Sequence, residues 1–148
     1  MNELLEDCFH LGVKGLLCNN EHKVLLLETQ HLFNGIYWDL PGGRLQKGET
    51  VMETLRREIE EETGLQYLDK ASHFDMILTD IRIPISFGEV GLILSIYHCD
   101  IGSSFTPQLS TEHIGFGWFS FSEAAQLLAT QYPITFIEKI TRIDSCSR

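Results

Sequence analysis

Glu58, Glu61 and Glu62 stand at i, i+3 and i+4, so on a helix their three carboxylates project from one face. The flanking residues predict such a helix over about 50–63. Thr50 and Glu53 have the spacing of a capping box, and Gly64 falls where a helix C-terminus calls for a left-handed residue. Met52, Leu55 and Ile59 form an apolar stripe with Glu58 and Glu62 along one edge, which puts these acids at the border of a core rather than in bulk water. Like charges at i, i+4 destabilise a helix by roughly a few tenths of a kcal/mol per pair. A hard divalent cation would offset that penalty. Carboxylate oxygens suit Mg²⁺ or Mn²⁺, and no His or Cys stands at the ligand spacing of a zinc site. The ordinary alternative for Glu58-Ile59-Glu60-Glu61-Glu62 is a solvated acidic face, so the residues around the run must decide.

Elsewhere, apolar runs rich in branched residues predict strands at about 9–18, 23–28, 36–40, 72–79 and 89–99. The turn-prone Asn19-Asn20-Glu21-His22 makes the first two antiparallel neighbours. Two more helices are predicted. One spans 121–130, where Ser120 and Glu123 have capping-box spacing, and the other spans 133–143, where Pro133 suits the first helical position. Strands and helices mixed without regular βαβ alternation indicate an α+β fold or an α/β/α sandwich rather than a doubly wound parallel sheet. With 148 residues and no linker or repeat, one domain is expected to cover residues 1–148.

The chain has 21 acidic and 11 basic residues, a formal net charge of -10, which argues against non-specific nucleic-acid binding. The start, MNELLEDCF, lacks a basic and an apolar leader region, and no run of 18 apolar residues occurs. A cytoplasmic protein without membrane contact is therefore expected. Cys8, Cys18, Cys99 and Cys146 form no CxxC pair and read as reduced, structural thiols.

From Gly43 to Leu65 the chain reads Gly43, Glu49, Arg57-Glu58-Ile59, Glu61-Glu62 and Gly64-Leu65 at fixed intervals. This resembles the Nudix box at every defining position, with a chance match of roughly one in 10⁸–10⁹ registers. Trp38-Asp39-Leu40-Pro41-Gly42-Gly43 resembles the strand and loop that lead into the box. The resemblance implies a Nudix-type α/β/α sandwich with a mixed β-sheet. It also implies a Mg²⁺-dependent hydrolase, with Mn²⁺ as substitute, that cuts a phosphoanhydride bond in a nucleoside diphosphate linked to another group. Glu58 and Glu62, joined by Glu61, would hold the metal, and the carbonyl of Gly42 would complete the site. Arg57 would hold a neighbouring glutamate in place, with Glu49 supporting the loop.

The resemblance leaves the general base open between Glu58 and Glu112, which lies in Thr111-Glu112-His113 ahead of Gly117-Trp118-Phe119. Arg44 and Lys47 are candidate phosphate contacts, with simple solubility as the alternative. Trp38, Phe33 and Tyr37 read as packing residues first and base-stacking residues second. His98 reads as a core histidine, and no histidine is assigned chemistry. The substrate class implied is a nucleotide-type small molecule, a nucleoside triphosphate or an ADP-ribose-like compound. The alternative is a Nudix-fold module that binds nucleotide without turnover. Homodimerisation is common among proteins of this kind, and composition does not decide it.

Overall fold

The computed structural model describes residues 5–31 and 35–146. In chain order the elements are β1 (Phe9–Asn19), β2 (Lys23–His31), β3 (Gly35–Asp39), β4 (Gly42–Arg44), α1 (Val51–Thr63), β5 (Ala71–Ile85), β6 (Gly88–Gly102), β7 (His113–Ser120), α2 (Phe121–Leu128) and α3 (Ile134–Cys146). The strands form one seven-stranded sheet in the order β3-β2-β1-β6-β5, with β4 added to β1 and β7 to β2. β1 and β6 run parallel and the other pairs antiparallel, so the sheet is mixed.

Side-chain alternation along the central strands builds two cores. Leu16 and Cys18 of β1 and Val24 and Leu26 of β2 face one side, where Phe121, Ala124, Ala125 and Leu128 of α2 and Phe136 and Ile140 of α3 cover them. Val13 and Leu17, with Leu25 and Leu27, face the other side, where Leu55 and Ile59 of α1 close over them. A period of two on strands buried on both faces gives an α/β/α sandwich. Each fully buried Leu or Ile contributes about 1.5–3 kcal/mol, so the two layers hold the sheet from both sides.

The first connection is fixed by Asn19, whose Oδ1 accepts from the N–H groups of Glu21 (3.0 Å) and Lys23 (2.9 Å). β1 and β2 are antiparallel, as the Asn-rich turn implies. α1 carries its capping box, with Thr50 and Glu53 each bonding the other's backbone N–H, and stops at Gly64 in the left-handed region (φ 82°). α2 carries the second box at Ser120 and Glu123 but ends at Leu128, two residues short of the expected end. Pro133 lies just outside α3, where its carbonyl accepts from Phe136 and Ile137.

Three parts of the sheet exceed the sequence reading. β5 continues to Ile85 and β6 begins at Gly88, joined by the pairs Ile83↔Val90 and Ile85↔Gly88. The added half of β5 is mostly exposed, so backbone pairing rather than alternating burial maintains it. β4 has only three residues, too few for a periodic pattern, and the apolar pattern of β7 is broken by Gly115 and Gly117. Cys8, Cys18 and Cys99 are free thiols, as expected, whereas the Cys146 side chain and Phe33 lie outside what is described. No described helix is long and apolar enough to cross a membrane.

Ile59 is fully buried and packs toward Gly15 and Cys99, fixing α1 on the sheet. Ile59→Ala is therefore expected to cost about 2–5 kcal/mol in urea unfolding. A loss under about 1 kcal/mol would show that the helix is held mainly by other contacts.

Candidate active site

β4 brings a short loop against the carboxylate face of α1. Its pairing with β1 runs Gly12↔Arg44, Val13↔Gly43 and Lys14↔Gly42. At Gly42, φ is 148° and any Cβ would collide with the Val13 carbonyl oxygen. At Gly43 a Cβ would occupy the space taken by the Glu58 carboxylate. The two glycines thus do more than form a turn: one allows the strand pairing and the other admits a carboxylate onto the backbone.

Glu62 is buried at 8% exposure. Its Oε1 accepts the Gly42 N–H at 2.8 Å, and its Oε2 lies 3.3 Å from Nε2 of His113. Gly42 therefore meets the cluster through its N–H. Glu58 is also largely covered, and burial raises its pKa above the usual carboxylate value; Arg57 opposes that shift, while Glu62 and Glu61 add to it. Glu61 is the most exposed of the three and lies 3.4 Å from Arg57 Nη1.

Arg57 organises the loop side. Its Nε donates to Glu49 Oε2 at 2.6 Å and its Nη2 to Glu49 Oε1 at 3.1 Å, a forked pair. Nη1 donates to Glu58 at 2.9 Å, and Nη2 also reaches the Arg44 carbonyl at 3.2 Å. These bonds hold Glu49 well down, at about 2, helped by the Gln46 N–H. Glu49 also accepts from Thr54, tying the loop to the first turn of α1.

Lys14 lies beneath the cluster and donates to Asp39 (3.3 Å) and to the Leu40 carbonyl (3.2 Å). Burial alone would lower its pKa, but Asp39 and Glu62 outweigh burial and raise it. Two cations, Lys14 and Arg57, thus face five carboxylates, those of Asp39, Glu49, Glu58, Glu61 and Glu62. Each cation is already engaged by a carboxylate outside the trio on α1, so the excess negative charge falls on Glu58, Glu61 and Glu62. Those residues fit a hard divalent cation.

The structure also brings Glu112 to this place. One ligand atom each from Glu62, Glu112 and His113 lie within 4.8 Å of one another, with Glu112 exposed. His113 is the residue that the sequence reading leaves without chemistry, because its partners are remote in the chain. Its Nδ1 lies 3.1 Å from Oγ1 of Thr29, 84 residues away. Position next to Glu112, ahead of the Trp118-Phe119 strand, is the one sequence signal that singles it out.

Beside Glu58 opens a cleft of about 420 Å³ lined by His10, Arg44, Leu45, Gln46 and Glu58. Arg44 Nη1 lies 3.1 Å from His10 Nδ1, so the cleft pairs a fixed cation with the acidic cluster. Lys47 is exposed outside that lining. Trp38 packs edge-on against Phe119, with ring centroids 5.1 Å apart, at the core beneath α2. Tyr37 is half-buried, and burial raises its pKa, with Asp39 adding to the effect. His98 is half-buried in β6, and burial lowers its pKa.

The Glu49 pKa is depressed in the folded chain, so the stabilisation it reports is complete above about pH 4.5 and lost as pH falls through about 2. Glu49→Gln should flatten the pH dependence of the urea midpoint in that window. An unchanged slope would place the acid sensitivity elsewhere. Gly43→Ala should leave the far-ultraviolet spectrum intact while weakening Mn²⁺ binding by about tenfold or more, because Glu58 must move. Calorimetry showing wild-type affinity would remove Gly43 from the site.

Comparison with known proteins bears on the same segment. The family model of the NUDIX domain matches residues 9–139. The 8-oxo-dGTP diphosphatase of Proteus vulgaris is 31% identical over 81 residues, 49% of this chain and 68% of that protein. The 8-oxo-dGDP phosphatase NUDT18 of Mus musculus is 36% identical over 53 residues, 36% of this chain. The chain spans only 16% of the length of that mouse protein. The crystal structure of the MutT protein from Methanosarcina mazei Go1 superimposes with a TM-score of 0.64 at 25% identity, covering 97% of this chain and 98% of that one.

Proposed function

The chain belongs to the Nudix family, and from that premise we propose that it is a divalent-metal-dependent hydrolase of a phosphoanhydride bond in a nucleoside diphosphate linked to another group. The observation that carries this reading is the orientation of Glu62, fixed by the Gly42 N–H in a cluster whose carboxylates outnumber its cations. A carboxylate and a phosphate oxygen about 4 Å apart repel by about 4 kcal/mol at an effective dielectric near 20. A pocket built this way needs a cation to admit a diphosphate. Glu58, Glu62 and Glu61 are the residues proposed to hold Mg²⁺ or Mn²⁺, with the Gly42 carbonyl joining them. When bound, the cation supplies neutralisation of phosphate charge and Lewis acidity toward the attacking water.

The chain's own residues do the rest. Arg57 holds Glu58 while gripping Glu49, so the carboxylate does not have to be ordered when substrate arrives. Arg44 faces the cleft and is the candidate phosphate contact. The proton of the attacking water passes to Glu58 or to Glu112. Its place in the lining of the cleft favours Glu58. Glu112, exposed beside Glu62, is favoured by its freedom to move. The substrate proposed is a small nucleoside triphosphate or an ADP-ribose-like compound, and the name of the Proteus relative supports the triphosphate, with an oxidised purine as the base to try first.

The experiment is incubation with Mg²⁺ and a panel of canonical and oxidised nucleoside triphosphates, ADP-ribose, nucleotide sugars and dinucleoside polyphosphates, with products separated by chromatography. Metal-dependent cleavage that Glu62→Gln lowers by about a hundredfold or more is expected. Nucleotide binding without cleavage across the panel would replace the hydrolase by a binding module. Glu112→Gln should lower kcat sharply if Glu112 is the base; an unchanged rate at saturating Mg²⁺ assigns the proton to Glu58.

A further inference from the structure

His113 presents a chemical problem that the hydrolase reading does not solve. Its side chain is only 7% exposed, and Nε2 has no hydrogen-bond partner among the described residues. That atom nevertheless points at Glu62 Oε2 from 3.3 Å, without the geometry of a hydrogen bond. Buried polar atoms in native proteins nearly always have partners, so one aimed at a carboxylate without bonding to it calls for a third body.

We infer that His113 is a nitrogen ligand, and that Glu62, Glu112 and His113 form a mixed nitrogen and oxygen site for a borderline divalent cation such as Mn²⁺, Co²⁺ or Zn²⁺, in preference to Mg²⁺. The inference rests on the reading of Glu62 as a metal ligand and adds a second side to it. Oε1 of Glu62 is taken by the Gly42 N–H, whereas Oε2 is turned toward the imidazole.

Thr29 offers the ring a partner that can accept from Nδ1. With the ring proton on Nδ1, donated to Thr29 Oγ1 at 3.1 Å, the Nε2 lone pair faces Glu62 and is free to coordinate. Two lone pairs facing each other repel, and a cation between them reverses the sign. Ligand atoms about 2.05 Å from a tetrahedral ion stand roughly 3.3 Å apart, which matches the 3.3 Å from Nε2 to Oε2. Glu112 is exposed, so its carboxylate can close the remaining distance within the 4.8 Å cluster. Imidazole favours borderline metals over Mg²⁺, which prefers oxygen and water.

The test uses Mn²⁺ alone, added to the full chain and read by electron spin-echo envelope modulation, which detects imidazole nitrogen bound to the ion. The wild type should show that modulation, and His113→Asn should lose it. Thr29→Val, which removes the orienting hydroxyl without altering the ligands, should weaken Mn²⁺ binding by about tenfold while changing Mg²⁺ binding by less than about threefold. This variant also keeps the inference testable should His113→Asn fail to fold. His10→Asn is the control, because His10 also lines the cleft beside Glu58. A modulation that vanishes in His10→Asn and persists in His113→Asn overturns the assignment. Mn²⁺ bound by the wild type without imidazole modulation overturns this inference and leaves the carboxylate site standing. Failure to bind Mn²⁺ at all overturns both. Imidazole modulation in a chain that cleaves no compound of the panel supports the nitrogen site and removes the hydrolase.

Discussion

The three-residue strand β4 can lie against β1 because Gly42 has no Cβ to strike the Val13 carbonyl. That pairing sets the height of the loop above the sheet, and α1 sets the height of the carboxylates through Leu55 and Ile59 in the core. The Gly42 N–H to Glu62 bond of 2.8 Å joins the two. Both partners are anchored independently, one by backbone pairing and one by apolar burial, so the bond tests their agreement rather than creating it. A buried carboxylate that accepts an oriented N–H is held in one place without a cation, which is what a preorganised ligand requires.

Charge is distributed in the same economical geometry. Arg57 lies among Glu49, Glu58 and Glu61 and makes its forked contact with Glu49, the one farthest from Glu62 in the chain. Lys14 is likewise satisfied by Asp39 and the Leu40 carbonyl from below. Neither cation can neutralise the cluster fully while so engaged. The result is a site with strong local order and an uncompensated negative field, and these two properties are in tension: the bonds that order the carboxylates are made by cations that would otherwise cancel them. Spending the arginine fork on Glu49 resolves that tension, because Glu58 then receives a single bond from Nη1 and keeps most of its capacity for a metal.

Much of this was legible in the chain. The apolar runs at about 9–18 and 23–28 report strands, and the α1 stripe with its caps reports a helix that presents Glu58 and Glu62 at the core border; the structure has both. What was not legible depends on backbone or on distance. β4 offers too few residues for a pattern, and the outer half of the β5–β6 hairpin is held by ladder bonds between exposed, chemically mixed residues. The requirement for glycine at 42 and 43 could be noticed in the sequence, but its causes, a strand carbonyl and a carboxylate, appear only once the chain is folded. Arg44 and Lys47 carry the same reading as phosphate contacts, and nothing local in the sequence separates Arg44, which lines the cleft, from the exposed Lys47.

His113 shows why spacing rules miss a site assembled across a sheet. Ligand spacing in sequence detects donors brought together by a single turn or helix, as with Glu58 and Glu62. His113 is instead placed at the start of β7, and β7 is aligned by its pairing with β2, where Thr29 faces it in register. The register slips by one between Glu28 and Thr29, at the position of that contact. A bulge there turns the strand locally and re-aims side chains, so the imidazole reaches across to Glu62 on α1 instead of following the strand's alternation. Two elements that share no local sequence thus meet at one carboxylate. The sheet supplies the nitrogen and the helix the oxygen, and neither donor set is complete without the register of β2 against β7.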